Sequence, residues 1–588
     1  MGLVNRLTAM VGDAAEATAN PVLAMHWSFL AALGFLGVIL WFVGGRVSRI
    51  TKPDRPYLSP VLRLVGICSK IVGILITGAG ASWILLVLLL LFVNNGLSGY
   101  SPKEALVSAW LVLWKHAHLH LSAWGIGNIG AVVISLPLIL RVIPAWERGD
   151  GLPDVKALVR QLKKLNGYDP LPYVDISKGC FIGRDDKSAP IYVPWRKLSE
   201  THVQVLGMTG SGKGVAMSLV AYQAILAGEC LVWFDPKYDR YSPRILAAAA
   251  KRAGRPFHLV NLNPASGPQL NPFLGANAFE IEELLVAAFD LLAKGTDGDF
   301  HRGKDEDAAA ESAQIAIDTG SLSVPGLFQE CASHASITDQ ENFWRKFKKL
   351  ARLPAVNTVG GLNLAEAIAN SAVIYIIGSA DNEQVKMLQK LLLVRVMQII
   401  KARDRLAKHA PTCVVLDEFK HMLSPAAFTG LAVIRDFDTH FLLAHQSIGD
   451  LRSCPGIDPA EAHGAVVDNT AIKIVYKIGD DEYAEKMSRI SGKRRTYVDN
   501  SSKQLDENGA ATGSWREEKV QHIDMDLLTH LPMPSDRKGQ ASVGVLFGIG
   551  NAELFYVGHV PVPESCPMPA PVVAEAYITS PQAVTELI

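Results

Sequence analysis

The stretch GMTGSGKGV, at residues 207–215, constrains this chain more than any other. It follows the apolar run His202–Leu206, which has the length and valine content of a buried strand, and it leads into Val215–Ala227, which has helical periodicity. A strand, a glycine-rich turn, a lysine and a helix form the setting that a phosphate-binding loop requires. In that setting the turn presents backbone N–H groups to one anion, the helix N-terminus adds partial positive charge, and the lysine reaches the outer phosphates. The predicted nucleotide-binding residues are Gly207, Met208, Thr209, Gly210, Ser211, Gly212, Lys213, Gly214 and Val215.

One position departs from the usual motif. Gly214 stands where a serine or threonine normally supplies the hydroxyl that binds Mg²⁺. The sequence therefore leaves open how a magnesium ion is held. A chance glycine-rich turn is the alternative interpretation, but the motif described next favours a nucleotide site.

That second motif is an apolar run followed by two carboxylates. Cys413–Leu416 has the length of a strand, and Asp417 and Glu418 follow it directly. At a strand tip, Asp417 can serve Mg²⁺ and Glu418 can act as the base that polarises an attacking water. A strand that ends in Asp-Glu is common by itself, but with an upstream phosphate-binding loop it predicts an ATP site that uses Mg²⁺.

Two further residues fit a hydrolytic site. Gln446 follows the predicted strand His440–Ala444 and is placed to sense a γ-phosphate. Arg435 precedes that strand and fits an arginine finger that one subunit inserts into the site of its neighbour. The alternative for Arg435 is a surface arginine paired with Asp436 or Asp438.

The first part of the chain is dominated by long apolar runs. They predict a membrane domain at 1–148 with spans at about 26–43, 71–93 and 126–142. Lysine and arginine crowd the first connecting loop, which predicts an external N-terminus, a periplasmic loop at about 94–124 and a cytoplasmic remainder. A topology with two spans, in which the third run lies in the interface, stays open.

Three alternate histidines stand in the predicted periplasmic loop, at His116, His118 and His120. Alternate residues share a face only on a strand, whereas the flanking sequence has helical character. We therefore predict loop or interfacial histidines, and a metal site is the alternative.

Beyond residue 148, strand and helix patterns alternate. This rhythm predicts an α/β nucleotide-binding domain with a mostly parallel sheet, in two parts at 149–275 and 356–560. Between them, 276–355 has helical periodicity only, which predicts an all-α insertion domain. The proline-rich stretch 561–588 predicts a flexible tail.

The chain has 588 residues and a formal net charge of zero, so a nucleic-acid site has to be a local patch. The densest basic cluster lies in the insertion, interleaved with aromatic residues that offer stacking surfaces for single-stranded nucleic acid. An amphipathic helix with buried aromatics and solvated lysines is the favoured alternative. The candidate nucleic-acid residues are Arg345, Lys346, Lys348, Lys349 and Arg352.

The seven cysteines are scattered and form no CxxC pair. This spacing is typical of a reducing compartment, and it argues against a disulfide framework and against a zinc site.

Taken in order, these features resemble the type IV secretion coupling proteins of the TraG/TraD kind. The resemblance covers roughly 203–489. It rests on the apolar spans, on the helical insertion and on the motifs GMTGSGKGV, FDPK (234–237), LNPF (270–273), VVLDEF (414–419) and AHQS (444–447). Glycine at the position of Gly214 is a recurrent variant in that family. Tyr238 and Asp239 depart from its pattern, which often has Gly-Glu there.

The resemblance implies a hexameric, multi-pass ATPase of the bacterial inner membrane with a RecA-like motor. It implies a relaxase bound to single- or double-stranded DNA, or secreted effector proteins, as cargo, and a type IV secretion channel and membrane lipids as partners. By position, Lys213 binds phosphate, Asp417 serves Mg²⁺ and Glu418 is the catalytic base. Gln446 corresponds to the sensor and Arg435 to the finger.

Two other functions stay open. An FtsK-like double-strand DNA translocase also has membrane spans and an ATPase motor domain. Such proteins, however, usually carry a longer linker and a C-terminal winged-helix DNA-binding domain. A non-hydrolysing receptor, in which nucleotide only sets assembly, is supported by the missing hydroxyl at Gly214.

Overall fold

The structure is a computed structural model. It describes residues 155–577 except 294, 296, 423, 448, 453–457, 459–463, 465, 500–514 and 563–565, together with 64–74 and some residues within 36–47 and 101–107. The chain divides into two compact units, Met1–Pro153 with Arg494–Val520, and Asp154–Lys493 with Gln521–Ile588.

The strands and helices are numbered here in chain order. The strands are β1 (Cys180–Arg184), β2 (Pro190–Val193), β3 (Val203–Leu206), β4 (Cys230–Asp235), β5 (Phe257–Asn261), β6 (Val373–Ile377), β7 (Thr412–Leu416), β8 (Thr439–His445), β9 (Ile472–Val475), β10 (Lys493–Asp499), β11 (Trp515–Gln521), β12 (Ser542–Phe547) and β13 (Glu553–Val557). The α-helices of the second unit are α1 (Val155–Leu162), α2 (Trp195–Ser199), α3 (Lys213–Ala227), α4 (Ser242–Ala253), α5 (Ala278–Phe289), α6 (Asp299–Thr319), α7 (Val324–Cys331), α8 (Ala335–Thr338), α9 (Glu341–Ala351), α10 (Leu364–Ala369), α11 (Glu383–Lys401), α12 (Pro425–Val433), α13 (Gly449–Arg452), α14 (Asp481–Ile490) and α15 (Met525–His530).

In the first unit, two helical stretches within 36–47 and 64–74 lie close together. The Ser69 hydroxyl donates to the Leu40 carbonyl at 3.2 Å. Gly73 sits where a Cβ would come within 2.7 Å of the Trp41 backbone nitrogen, so glycine allows this close approach. Strands β10 and β11, which lie mainly in this unit, form a separate two-stranded sheet.

Among the residues that the structure describes, no helix has both the length and the apolar character needed to cross a bilayer. Much of the predicted spans 26–43 and 71–93, and the whole of 126–142, lie outside those residues. His116, His118 and His120 lie outside them as well. The spans and these histidines stay predictions.

The described part of the second unit is built on one sheet of eleven strands in the order β2-β1-β13-β12-β9-β3-β8-β7-β4-β6-β5. The strands from β9 to β5 are parallel, as the alternation of strands and helices predicts. The antiparallel strands β12, β13, β1 and β2 extend the sheet on one side. Strands β1 and β2 were not predicted from the sequence.

The register of the parallel strands positions the candidate site. Leu206 of β3 pairs with His445 of β8, and Phe234 of β4 pairs with Leu416 of β7. The chain therefore leaves β3, β4, β7 and β8 at the same edge of the sheet, where ligands of parallel α/β sheets usually bind.

Between β5 and β6, the described residues contain the helices α5 to α10 and no strand, and α5 to α9 lie within the predicted insertion 276–355. Their core is aromatic: Phe289, Phe343 and Phe347 are fully buried, and their rings are in mutual contact. Each buried ring contributes roughly 1.5–3 kcal/mol to folding by removal of apolar surface from water.

The C-terminal segment differs from the predicted flexible tail. The Val572 N–H donates to the Leu259 carbonyl of β5 at 2.8 Å, and the Tyr577 N–H donates to the Asn357 carbonyl at 2.9 Å. Residues 566–577 therefore lie against the rest of the second unit and cover part of its edge strand, whose backbone groups on that side otherwise lack partners. Residues 578–588 lie outside the described part of the chain.

Candidate nucleotide-binding site

The loop between β3 and α3 has the conformation of a phosphate-binding turn. Gly210 and Gly212 adopt φ angles of +76° and +116°, a region that side-chain-bearing residues rarely occupy. A Cβ on Gly212 would also approach the Ser542 Oγ to 2.7 Å. The glycines at these two positions are therefore required by the backbone, which curls before the N-terminus of α3.

Lys213 is the first residue of α3 and is only 7% exposed. Its ammonium group donates to the carbonyl of Gly207 at 2.6 Å and to that of Met208 at 3.2 Å. Burial lowers the pKa of Lys213, and the nearby Glu418 carboxylate opposes this effect. The Lys213 ammonium is thus held beneath the loop. Because it is already removed from water, an anion that binds there does not have to desolvate it.

Asp417 and Glu418 follow β7 at the same edge. Burial raises the pKa of Asp417 to about 6, against the opposing effect of the Lys237 ammonium. Glu418 is 1% exposed and has a φ of +47°, which is unusual for a residue other than glycine. The structure therefore fixes the second carboxylate by a strained backbone and by its neighbours.

The partners of Glu418 leave one of its oxygens free. Its Oε1 forms an ion pair with the Lys237 ammonium and accepts a hydrogen bond from the Gln446 amide at 2.9 Å. Its Oε2 is buried and has no hydrogen-bond partner in the described residues. Burial raises the pKa of this carboxyl, but the bonds from Lys237 and Gln446 outweigh it, so the pKa lies below its usual range.

Gln446 links the two motifs. The Thr209 hydroxyl of the glycine-rich loop donates to its amide oxygen at 3.1 Å, and its amide nitrogen donates to Glu418. Its backbone N–H donates to Asp450 at 3.0 Å, which holds the residue in place. A change at the loop can therefore reach the carboxylate through a single side chain.

Lys237 was not predicted as a site residue. It follows Asp235, whose carboxylate accepts from the Lys237 N–H at 2.8 Å, from the Asp239 N–H at 2.6 Å and from the Tyr375 hydroxyl at 2.8 Å. The buried Asp235 carboxylate therefore fixes the turn that places the Lys237 side chain beside Glu418. The signal was present in the sequence, since Asp-Pro-Lys directly follows the strand β4.

A cleft of about 870 Å³ lies beside the glycine-rich loop, and Glu418 and Gln446 are connected to it through the lining residues Lys237 and Thr209. Lys213, Lys237 and Asp417 lie on its polar side, and the other lining residues include Tyr241, Ile245, Pro534, His559, Val560, Pro561 and Val562. The residues at 559–562 belong to the segment after β13, whose sequence has no feature that predicts a place at the site. The cleft thus offers both cations and an apolar wall, as a nucleotide with a charged end and a flat ring system requires.

The structure does not bring Arg435 to this cleft. Arg435 is exposed in the 3₁₀ turn Ile434–Phe437, which precedes β8, whereas the glycine-rich loop follows the opposite ends of the parallel strands. The seven residues of β8 separate the two edges by roughly 20 Å. This geometry therefore excludes a role for Arg435 in the nucleotide cleft of its own chain. A role in the cleft of a neighbouring subunit stays a prediction.

The basic cluster of the insertion lies on α9 and just after it. Phe343 and Phe347 are fully buried, and the Trp344 ring stacks on Phe328 with centroids 4.3 Å apart. These aromatics pack in the protein, as the favoured alternative predicts, and Phe343 and Phe347 cannot stack on a base. The Lys346 ammonium donates to the Phe289 carbonyl at 2.5 Å, whereas Arg345, Lys349 and Arg352 are exposed and Lys348 is half-buried.

Gly214, the unusual residue, lies in the first turn of α3, and a Cβ built on it meets no atom within 4 Å. Glycine costs a helix roughly 0.5–1 kcal/mol relative to alanine. We therefore expect Gly214→Ala to raise the thermal unfolding midpoint by about 1 °C. The matched variant Gly212→Ala should lower it, because a Cβ there is strained and crowded. Differential scanning calorimetry of both variants checks this, and a shift of the same sign in both contradicts it.

Comparisons with known proteins agree with this picture. Residues 411–533, which contain Asp417, Glu418 and Gln446, match the family described as the TraM recognition site of TraD and TraG. Mobilization protein A of Escherichia coli is 31% identical over 310 residues, or 52% of this chain and 56% of that protein. The type 4 coupling protein DotL of Legionella pneumophila is 25% identical over 175 residues, or 27% of this chain and 22% of that protein. The chain thus matches about half of the first relative and about a fifth of the second.

Among solved structures, the bacterial conjugative coupling protein TrwBdeltaN70 in its unbound form is similar, with a TM-score of 0.50 and 15% identity. The match covers 71% of this chain and 94% of that one, and it shows a shared fold. The resemblance to type IV secretion coupling proteins that the motifs predicted is confirmed by these sequence and fold matches.

Proposed function

We propose that this chain is the ATPase of a type IV secretion or conjugation system, which recruits a relaxase–DNA complex or secreted proteins and couples ATP hydrolysis to their delivery to the channel. The observation that carries the proposal is the convergence of both ATPase motifs on one cleft. Gln446 connects Thr209 of the glycine-rich loop with Glu418, the candidate base. The similarity to Mobilization protein A and to DotL supports the biological setting.

The residues of the cleft divide the work of hydrolysis. The backbone N–H groups of the glycine-rich loop and Lys213 bind the phosphates. Glu418 accepts a proton from the attacking water through its free Oε2, and its depressed pKa keeps it ionised at neutral pH. Gln446, which hydrogen-bonds to Thr209 and to Glu418, couples the conformation of the loop to the position of Glu418.

Asp417 is the residue that would hold Mg²⁺. It is a carboxylate lining the cleft beside Lys213, and its donor chemistry fits a hard cation. A bound Mg²⁺ would neutralise charge on the phosphate oxygens. Because Gly214 supplies no hydroxyl, Asp417 carries this role without the usual second side chain.

The ion pair between Lys237 and Glu418 gives a prediction about pH. Removal of Lys237 takes away a hydrogen bond and a charge that oppose the burial of Glu418, and a charge that opposes the burial of Asp417, so the pKa values of both carboxyls rise. A base with a raised pKa is protonated at a higher pH, and the acidic limb of the kcat/KM profile moves to higher pH in Lys237→Ala. Steady-state ATPase assays between pH 5 and 9 measure this, with Lys251→Ala, an exposed lysine of α4, as control. An unchanged acidic limb contradicts the role of Lys237.

The partners and the location are part of the proposal. A hexamer in the inner membrane, with its ATPase unit in the cytoplasm, would place Arg435 against the cleft of a neighbouring subunit. Relaxase, effector proteins, single- or double-stranded DNA, channel components and lipids are the expected partners. The exposed Arg345, Lys349 and Arg352 are the nucleic-acid candidates that the structure leaves at the surface.

The test is complementation. In cells from which the gene is deleted, transfer of the system's DNA or protein cargo is measured with the wild type, Glu418→Gln and an empty vector. We expect cargo transfer to fall at least 100-fold with the empty vector. Glu418→Gln should not restore transfer, because a general base contributes about 10²–10⁴-fold to the rate of such a step. Rescue by Glu418→Gln would point to a non-hydrolysing receptor, and normal transfer with impaired chromosome segregation would point to an FtsK-like translocase.

A further inference from the structure

We infer that the second unit binds a divalent cation of the zinc class in its core, held by Glu229, Cys413 and His440. The site lies away from the proposed ATP cleft and does not depend on it. The spacing of the cysteines in the sequence argued against a zinc site, because the donors are far apart along the chain. The fold brings them together.

The register of the sheet explains the juxtaposition. Cys413 of β7 pairs directly with His440 of β8, so their side chains lie on the same face in neighbouring strands. Leu231 of β4 pairs with Cys413, and Glu229 lies two residues before Leu231, just ahead of that strand. Three adjacent strands therefore deliver one donor each to the amino edge of the sheet. The ATP cleft lies at the carboxyl edge.

The donor atoms are close and buried. One ligand atom from each of Glu229, Cys413 and His440 lies within 4.8 Å of the other two. Their exposed fractions are 4%, 0% and 1%, so water does not compete for them. The Nε2 of His440 is 2.7 Å from Glu229, and the same imidazole also interacts with the side chain of Cys413.

A buried cluster of a carboxylate, a thiol and an imidazole is the observation that points to a ligand. Burying three such polar groups together is costly, and a cation bound to the imidazole and to the Cys413 sulfur offsets that cost. A metal-binding histidine commonly has a carboxylate on its other ring nitrogen, as His440 has with Glu229. Glu229 then serves either as a third ligand or as the group that orients the imidazole.

The donor set selects the kind of cation. Thiolate, imidazole and carboxylate together favour zinc over magnesium or calcium, which prefer oxygen ligands.

The test uses the full chain, purified without a histidine tag and without chelators. Inductively coupled plasma mass spectrometry should find about one zinc-class ion per chain. After exchange with Co²⁺, a thiolate-to-cobalt charge-transfer band should appear in the near ultraviolet. Cys413→Ala should abolish this band, and Glu229→Gln should weaken Co²⁺ binding about 10–100-fold.

The matched control is Cys331→Ala, which removes a cysteine that is also fully buried but lies in α7 of the insertion. Its cobalt band should equal that of the wild type. A wild-type chain with less than a tenth of an equivalent of metal and no cobalt band would overturn the inference, and would leave a buried ion pair between His440 and Glu229. Because this outcome is read on the wild type, it does not depend on whether a variant folds. ATPase activity is not a readout, so the inference and the proposed function fail separately.

Discussion

Replacing Glu418 with glutamine lowers kcat for ATP hydrolysis at least 100-fold while ATP still binds. The expected loss follows from the role of a general base, which contributes about 10²–10⁴-fold to such a step. Glutamine keeps the size of the side chain but cannot take the proton that the Oε2 of Glu418 is free to accept. Steady-state turnover together with binding of a fluorescent ATP analogue separates the two effects.

The matched control is Glu366→Gln, an exposed glutamate at the start of α10, which should behave like the wild type. If Glu418→Gln retained more than a tenth of the wild-type turnover, another residue would have to be the base. The proposed division of work in the cleft would then be wrong.

Replacing Lys213 with alanine weakens nucleotide binding about 10–100-fold, because a charged hydrogen bond to a phosphate contributes about 1.5–3 kcal/mol. Turnover should fall further, since the same cation stabilises charge that develops on the phosphates in the transition state. The ammonium group is already desolvated beneath the loop, so little of its interaction is lost to water. Isothermal titration calorimetry with ADP and ATP measures the binding change.

Lys251→Ala removes a lysine from the exposed face of α4 and serves as the control for Lys213→Ala. Unchanged affinity in Lys213→Ala would show that the nucleotide does not bind at this loop. The apolar wall of the cleft, including Ile245 and Val562, would then need another ligand.

Much of the site was predictable because its parts are local in sequence. The glycine-rich turn and the Asp417-Glu418 pair each follow a recognisable strand, and the parallel register of β3, β4, β7 and β8 makes their ends meet. The positions of Lys213 and Asp417 in one cleft, and of Glu418 and Gln446 at the same edge of the sheet, follow from that topology. What the sequence did not show was the partner of Glu418, because Lys237 reaches it only across the edge of the sheet.

The parts that were not predicted depend on contacts between distant segments. Residues 559–562 line the cleft only because β13 joins the sheet through β12, whose pairing with β9 cannot be inferred from local patterns. The proline-rich segment after it has the composition of a flexible tail, yet Val572 hydrogen-bonds to the edge strand β5. The cluster of Glu229, Cys413 and His440 has no signature in spacing, since the donors come from β7, from β8 and from the residue just before β4.

The most direct test of the central claim is ATP turnover by the full-length chain in detergent or membranes, with and without single-stranded DNA, beside Lys213→Ala and Glu418→Gln. A hydrolysing motor predicts turnover that rises with DNA and is lost in both variants, and an arginine finger supplied by a neighbouring subunit predicts the same loss in Arg435→Ala. Absence of turnover at every protein concentration, despite nucleotide binding, would contradict the motor and leave a nucleotide-gated receptor.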